Sequence, residues 1–60
     1  MTTKEILKLA YKNGWEFKSQ RGSHIKLVHT ETNKTAIIPN HAGDIKKGTL
    51  NSILKQLGLK

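Results

Sequence analysis

Between Trp15 and Pro39 the chain abandons helical spacing for alternation, and its connections there are short. This constrains the fold most. Trp15-Glu16-Phe17-Lys18-Ser19-Gln20 alternates apolar with polar residues, which is the period of a half-buried strand, and the reading points Trp15 and Phe17 at the core. Residues 24–30 form a second strand with Ile25 and Leu27 on one face and His24, Lys26 and Val28 on the other. After the polar turn Glu31-Thr32-Asn33-Lys34, Thr35-Ala36-Ile37-Ile38 reads as a third strand that Pro39 stops. Links this short cannot carry a parallel crossover, so the strands make an antiparallel meander.

Helical spacing flanks this meander. Thr2 and Glu5 stand three apart as a capping box, and the helix they open runs to about Asn13, burying Ile6, Leu7, Leu9 and Ala10. Gly14 is placed to end it in a left-handed conformation. A second helix over residues 49–57 aligns Leu50, Ile53, Leu54 and Leu57, with Gly58 as its stop and Thr49 as the first choice of N-cap, Gly48 or a start one turn earlier being the alternatives. Residues 1–60 then read as a single domain of the α+β class, ordered helix-strand-strand-strand-helix, with a three-stranded antiparallel sheet and both helices on one face. The other face is left free for a ligand. If Ile25 and Leu27 face the helices, His24 and Lys26 stand on the free face; a register slip of one residue would reverse this.

Charge indicates what such a ligand is. Eleven Lys and Arg against four Asp and Glu give a formal net charge of +7, which favours a polyanionic partner, nucleic acid first and otherwise an acidic protein or membrane surface. Ten of the eleven cations are lysine, suited to phosphate attraction rather than bidentate reading of bases. Lys4, Lys8 and Lys12 recur every four residues as one stripe, read first as a solvated face and second as a guide for an RNA backbone or an acidic partner. The absence of cysteine removes disulfides and thiolate metal sites, and no apolar run is long enough to span a bilayer. The expectation is a soluble, cytoplasmic chain with no membrane partner.

The chemistry concentrates in Arg21-Gly22-Ser23-His24 and Lys26. An imidazole exchanges protons near neutral pH, so His24 is the candidate acid or base for phosphodiester cleavage. Arg21 offers a planar fork to phosphate oxygens, Lys26 lies one pleat along on the face of His24, and Gly22 lets backbone N–H groups approach a phosphate. Ser23 reads as a turn residue that also orients His24. His41 remains open between a second proton-transfer or phosphate-contacting group and a loop histidine capping the next segment, whereas His29 shares the face of Ile25 and Leu27 and reads as packed or at the rim. Dispersed acids disfavour a two-metal mechanism, separated histidines disfavour a zinc site, and no cofactor is expected. A non-catalytic RNA-binding module would use the same cations, with His24 only as a hydrogen-bond donor.

Gly14-Trp15, Gly22-Ser23-His24, Ile38-Pro39 with His41, and Lys47-Gly48-Thr49-Leu50 leading into Ile53-Leu54-Lys55-Gln56-Leu57-Gly58-Leu59 resemble, in order and over essentially the whole chain, the HicA toxin family. The resemblance implies a fold similar to the double-stranded-RNA-binding domain and a ribosome-independent mRNA interferase, an endoribonuclease toxin of a type II toxin–antitoxin pair. It also implies that the histidine of Gly-Ser-His, here His24, is catalytic and that a HicB-type antitoxin neutralises the toxin by covering it.

Overall fold

A computed structural model describes residues 1–60. Helix α1 spans Thr3–Lys12 and opens on the capping box: the Thr2 hydroxyl accepts from the Glu5 N–H, and the Glu5 carboxylate accepts from the Thr2 N–H. Its last turn runs into Asn13, and Gly14 takes φ +88°, the left-handed conformation expected there. Ile6 and Ala10 are buried, with Leu7 and Leu9 only half-buried at the margin.

Strands β1 (Trp15–Arg21), β2 (His24–His29) and β3 (Thr35–Pro39) form an antiparallel sheet in that order. Both helices cover one face. A single core joins Ile6 and Ala10 of α1, Ile53 and Leu57 near the end of the chain, and Trp15, Ile25, Leu27, Ala36 and Ile38 of the sheet. These sheet residues share one side by register, Leu27 lying opposite Ala36 and Ile25 opposite Ile38.

Phe17 corrects the sequence reading. It lies opposite Leu27 and so on the helix-covered side, yet it is 52 % exposed. The reason lies in how α1 crosses the sheet. The helix starts at the Pro39 end of β3, where the Thr3 hydroxyl donates to the Pro39 carbonyl (2.8 Å), and finishes beside Trp15 on the opposite edge and at the opposite end. This diagonal reaches β1 only at Trp15, and the strand beyond it, Phe17 included, is exposed.

Helix α2 spans Lys47–Gln56, starting not at Thr49 but about one turn earlier, the alternative start. Lys46 is its N-cap and makes no side-chain cap. Burial of Ile45 sets the start instead, since Ile45 and Leu50 occupy the two positions of a hydrophobic staple, one in the core and the other packed against it. At the other end Gly58 (φ +72°) closes a Schellman turn, its N–H donating to Lys55 and that of Leu59 to Leu54. The Trp15 indole N–H donates to the Leu57 carbonyl (3.2 Å), which ties this terminus to the start of β1. No helix is long and apolar enough to cross a membrane.

Candidate functional site

The site is built on the hairpin between β1 and β2. Its turn has only two residues, Gly22 at φ +58° and Ser23 at negative φ, the pattern of a type II′ turn that needs glycine first. Arg21 and His24 are therefore directly opposite one another. The Gln20 side-chain amide donates to the Gly22 carbonyl (3.1 Å) and braces the turn. On the other flank the Ser23 carbonyl accepts from the Asn40 N–H (2.6 Å), extending the β2–β3 ladder one rung past the His24–Pro39 pair.

An irregularity decides which side chains join His24. Pairing shifts between Phe17 and Ser19, leaving Lys18 as the extra residue of a bulge. Before it, the odd residues Trp15 and Phe17 take the helix side; after it, Ser19 and Arg21 take the open side. The open face then reads in rows across the three strands: Arg21, His24 and Pro39; Ser19, Lys26 and Ile37; Glu16, Val28 and Thr35. A shallow groove of about 570 Å³ lies along the first two rows, lined by their Ser19, Arg21, His24, Lys26 and Ile37 and also by Gln20, which pairs with Ile25 and belongs to the other side of the sheet by register.

His24 is exposed and its ring makes no hydrogen bond within the chain, so both nitrogens are available to a ligand. Arg21 is exposed, Lys26 is half-buried, and neither forms an ion pair; the ion pair present joins the N-terminal amine to Asp44 (3.8 Å). Two unneutralised cations thus flank a free imidazole. This arrangement can bind an anion and exchange a proton with it.

The remaining expected residues are placed differently. Gly22 and Ser23 form the turn at the end of the groove and do not line it. His41 also stays outside the lining; its side chain is exposed, and its backbone N–H donates to the Thr3 hydroxyl (3.0 Å). That buried hydroxyl donates in turn to the Pro39 carbonyl, so Thr3 fixes the loop after β3 against α1. No three His, Asp or Glu side chains converge where they could hold a metal ion.

Sequence reasoning had not singled out Ser19, Gln20 or Ile37. A signal existed for Ile37, because two consecutive isoleucines in a strand must face opposite sides. None existed for Ser19, whose orientation depends on the bulge.

Fold and groove together define a small cationic α+β domain with an unpartnered imidazole on the uncovered face of its sheet. No curated protein matches the chain in sequence. The family model described as the HicA toxin of bacterial toxin–antitoxin systems matches residues 3–59, nearly the whole chain, and the protein belongs to that family.

Proposed function

We propose that the protein is a metal-independent endoribonuclease, the mRNA interferase of a type II toxin–antitoxin pair, acting in the cytoplasm as a single HicA-like domain held in check by a HicB-type antitoxin. The observation that carries this reading is the free imidazole of His24 between the unpaired cations Arg21 and Lys26. A phosphodiester in the groove places its non-bridging oxygens on Arg21 and Lys26. His24 removes the proton of the adjacent 2′-hydroxyl, the 2′-oxygen attacks phosphorus, and the bond from phosphorus to the 5′-oxygen breaks. The departing oxygen takes its proton from solvent, to which the groove is open. Acid–base assistance of this kind contributes roughly 10²- to 10⁴-fold, and fixed cations stabilise the charge that builds on the phosphorane.

The antitoxin inhibits by occupying the same face, with acidic groups meeting Arg21 and Lys26. His41, one residue past the rung that binds Ser23 and outside the lining of the groove, is assigned to a phosphate further along the RNA. Gly22 and Ser23 contribute the turn N–H groups.

Cleavage of RNA in the presence of EDTA, by the wild type and by His24→Ala once both are shown to be folded, tests this. Cleavage by the wild type alone supports the reading. Binding without cleavage by either chain makes the protein an RNA-binding module, and equal cleavage by both removes His24 from the reaction.

A further inference from the structure

The ribonuclease reading uses the groove's β1 and β2 residues and leaves its β3 wall without a task. That wall is apolar. Ile37 is 41 % exposed on the uncovered face, midway along the edge strand β3, and is the one hydrophobic residue lining the groove, with the half-buried Pro39 two residues along on the same side. A single exposed isoleucine is ordinary on a protein surface, so what singles out Ile37 is its place among the polar residues of the groove.

Its position is also fixed. Ile37 does not bond to β2: its N–H donates to the Gln56 side-chain oxygen (3.3 Å) and its carbonyl accepts from the Gln56 side-chain amide (3.5 Å). The pair Lys26–Ile37 is thus a non-hydrogen-bonded pair, the closer of the two kinds, with β-carbons roughly 4.5–5.5 Å apart. A β-branched side chain adds stiffness at χ1. A rigid aliphatic surface therefore sits one side chain away from a cation in the row next to His24.

Such a juxtaposition matches one nucleotide, an anion joined to a flat apolar ring. In an RNA duplex the base faces are stacked inside and only phosphates, riboses and base edges are offered, so Ile37 would gain nothing. In a single strand each base can turn out and lay its face on a side chain. We propose that Ile37, beside Pro39, seats a nucleobase of single-stranded RNA next to the phosphate held by Arg21, His24 and Lys26, and so selects unpaired RNA. This rests on the RNA reading above, and the test separates the two.

Binding is measured by fluorescence anisotropy in the non-cleaving His24→Ala background, at one fixed salt concentration, with and without Ile37→Ser. The probes are a short single-stranded RNA, the same RNA with abasic nucleotides, and a blunt duplex. Ile37→Ser is expected to weaken the intact single strand about five- to tenfold, in line with the lower end of base-contact energies. It leaves the abasic strand and the duplex unchanged, and Ile37→Val restores most of the loss. An equal loss on all three probes, or no loss on the intact strand, overturns the proposal. If the binding pattern holds but the His24-containing chain cleaves nothing, the ribonuclease reading falls and the nucleobase seat stands. If no RNA binds at all, both fall.

Discussion

Strand β2 carries a histidine at each end, and the two are used in opposite ways. His24 and His29 lie five residues apart, which puts them on opposite faces of the sheet. His29 is saturated. Its Nδ1 accepts from the Glu31 N–H (3.2 Å), so Nε2 carries the proton and donates to the Asn13 carbonyl (3.0 Å). Its ring meets Trp15 edge-on at a centroid distance of 5.2 Å. At the other end, the ring of His24 has no partner within the chain and opens onto the groove. Residue type and strand are shared, and cover makes the difference. An imidazole with both nitrogens committed holds two turns together and cannot pass a proton without breaking them, whereas one with both free can.

Exchanging the properties tested at the two ends gives the largest expected effect. His24→Gln should lower RNA cleavage by roughly 10²- to 10⁴-fold while moving the unfolding free energy by less than about 0.5 kcal/mol, because nothing in the fold leans on the ring. A His24→Gln chain that unfolds at much lower urea would mean that the ring is structural after all. Next comes Gly14→Ala, which attacks the other end through its neighbour. A β-carbon on Gly14 would lie 2.8 Å from His29 Nε2, in a backbone already at φ +88°. The left-handed conformation costs a non-glycine residue about 1–2 kcal/mol and the displaced hydrogen bond about 1 more, so a loss of about 2–3 kcal/mol is expected in urea denaturation. Gly22→Ala supplies the contrast, because a β-carbon there meets nothing within 4 Å and only the conformational cost at φ +58° remains.

The difference between the two histidines was partly legible before any coordinates. Alternation along residues 24–30 put His24 with Lys26 and His29 with Ile25 and Leu27, and the capping box and the terminal glycines fixed α1 and the end of α2. Adjacency in the chain sets Arg21 beside His24, but its actual route to the groove is the Lys18 bulge. Simple alternation from Trp15 would have placed Arg21 under the helices. No local residue pattern announces that bulge, because an extra residue is a property of the pairing of two strands and not of either one. Phe17, Thr3 and Ile45 escaped for a related reason. The exposure of Phe17 follows from the diagonal of α1, and Thr3 and Ile45 are buried by contacts across the chain, to Pro39 and to the core. Propensity and period are local and these contacts are not.

His29→Gln probes the saturated end more gently. A carboxamide keeps one donor and one acceptor but cannot span both turns or present the ring edge to Trp15. A loss of about 1–2 kcal/mol in unfolding free energy is expected, with RNA cleavage per folded molecule unchanged. Cleavage that fell in step with His24→Gln would show that both ends serve the site and would end the contrast.

The smallest effect belongs to Glu5, and it matters whenever the two histidine variants are compared as a function of pH. The backbone N–H of Thr2, then the Thr2 hydroxyl, hold the Glu5 carboxyl below its ordinary range. A carboxyl lowered by folding contributes stability that is fully present above its unfolded value and is lost as pH falls through the lower folded one. Acid therefore weakens the start of α1 whatever the histidines do. Glu5→Gln should leave stability at neutral pH nearly unchanged, since glutamine also completes a capping box, and should flatten the urea midpoint between neutral pH and the acid range where Glu5 protonates. Midpoints that decline equally in wild type and Glu5→Gln would assign the acid sensitivity elsewhere. With Glu5→Gln as background, the remaining pH dependence of His29→Gln and His24→Gln can be compared directly, and only the former should differ from its parent in stability.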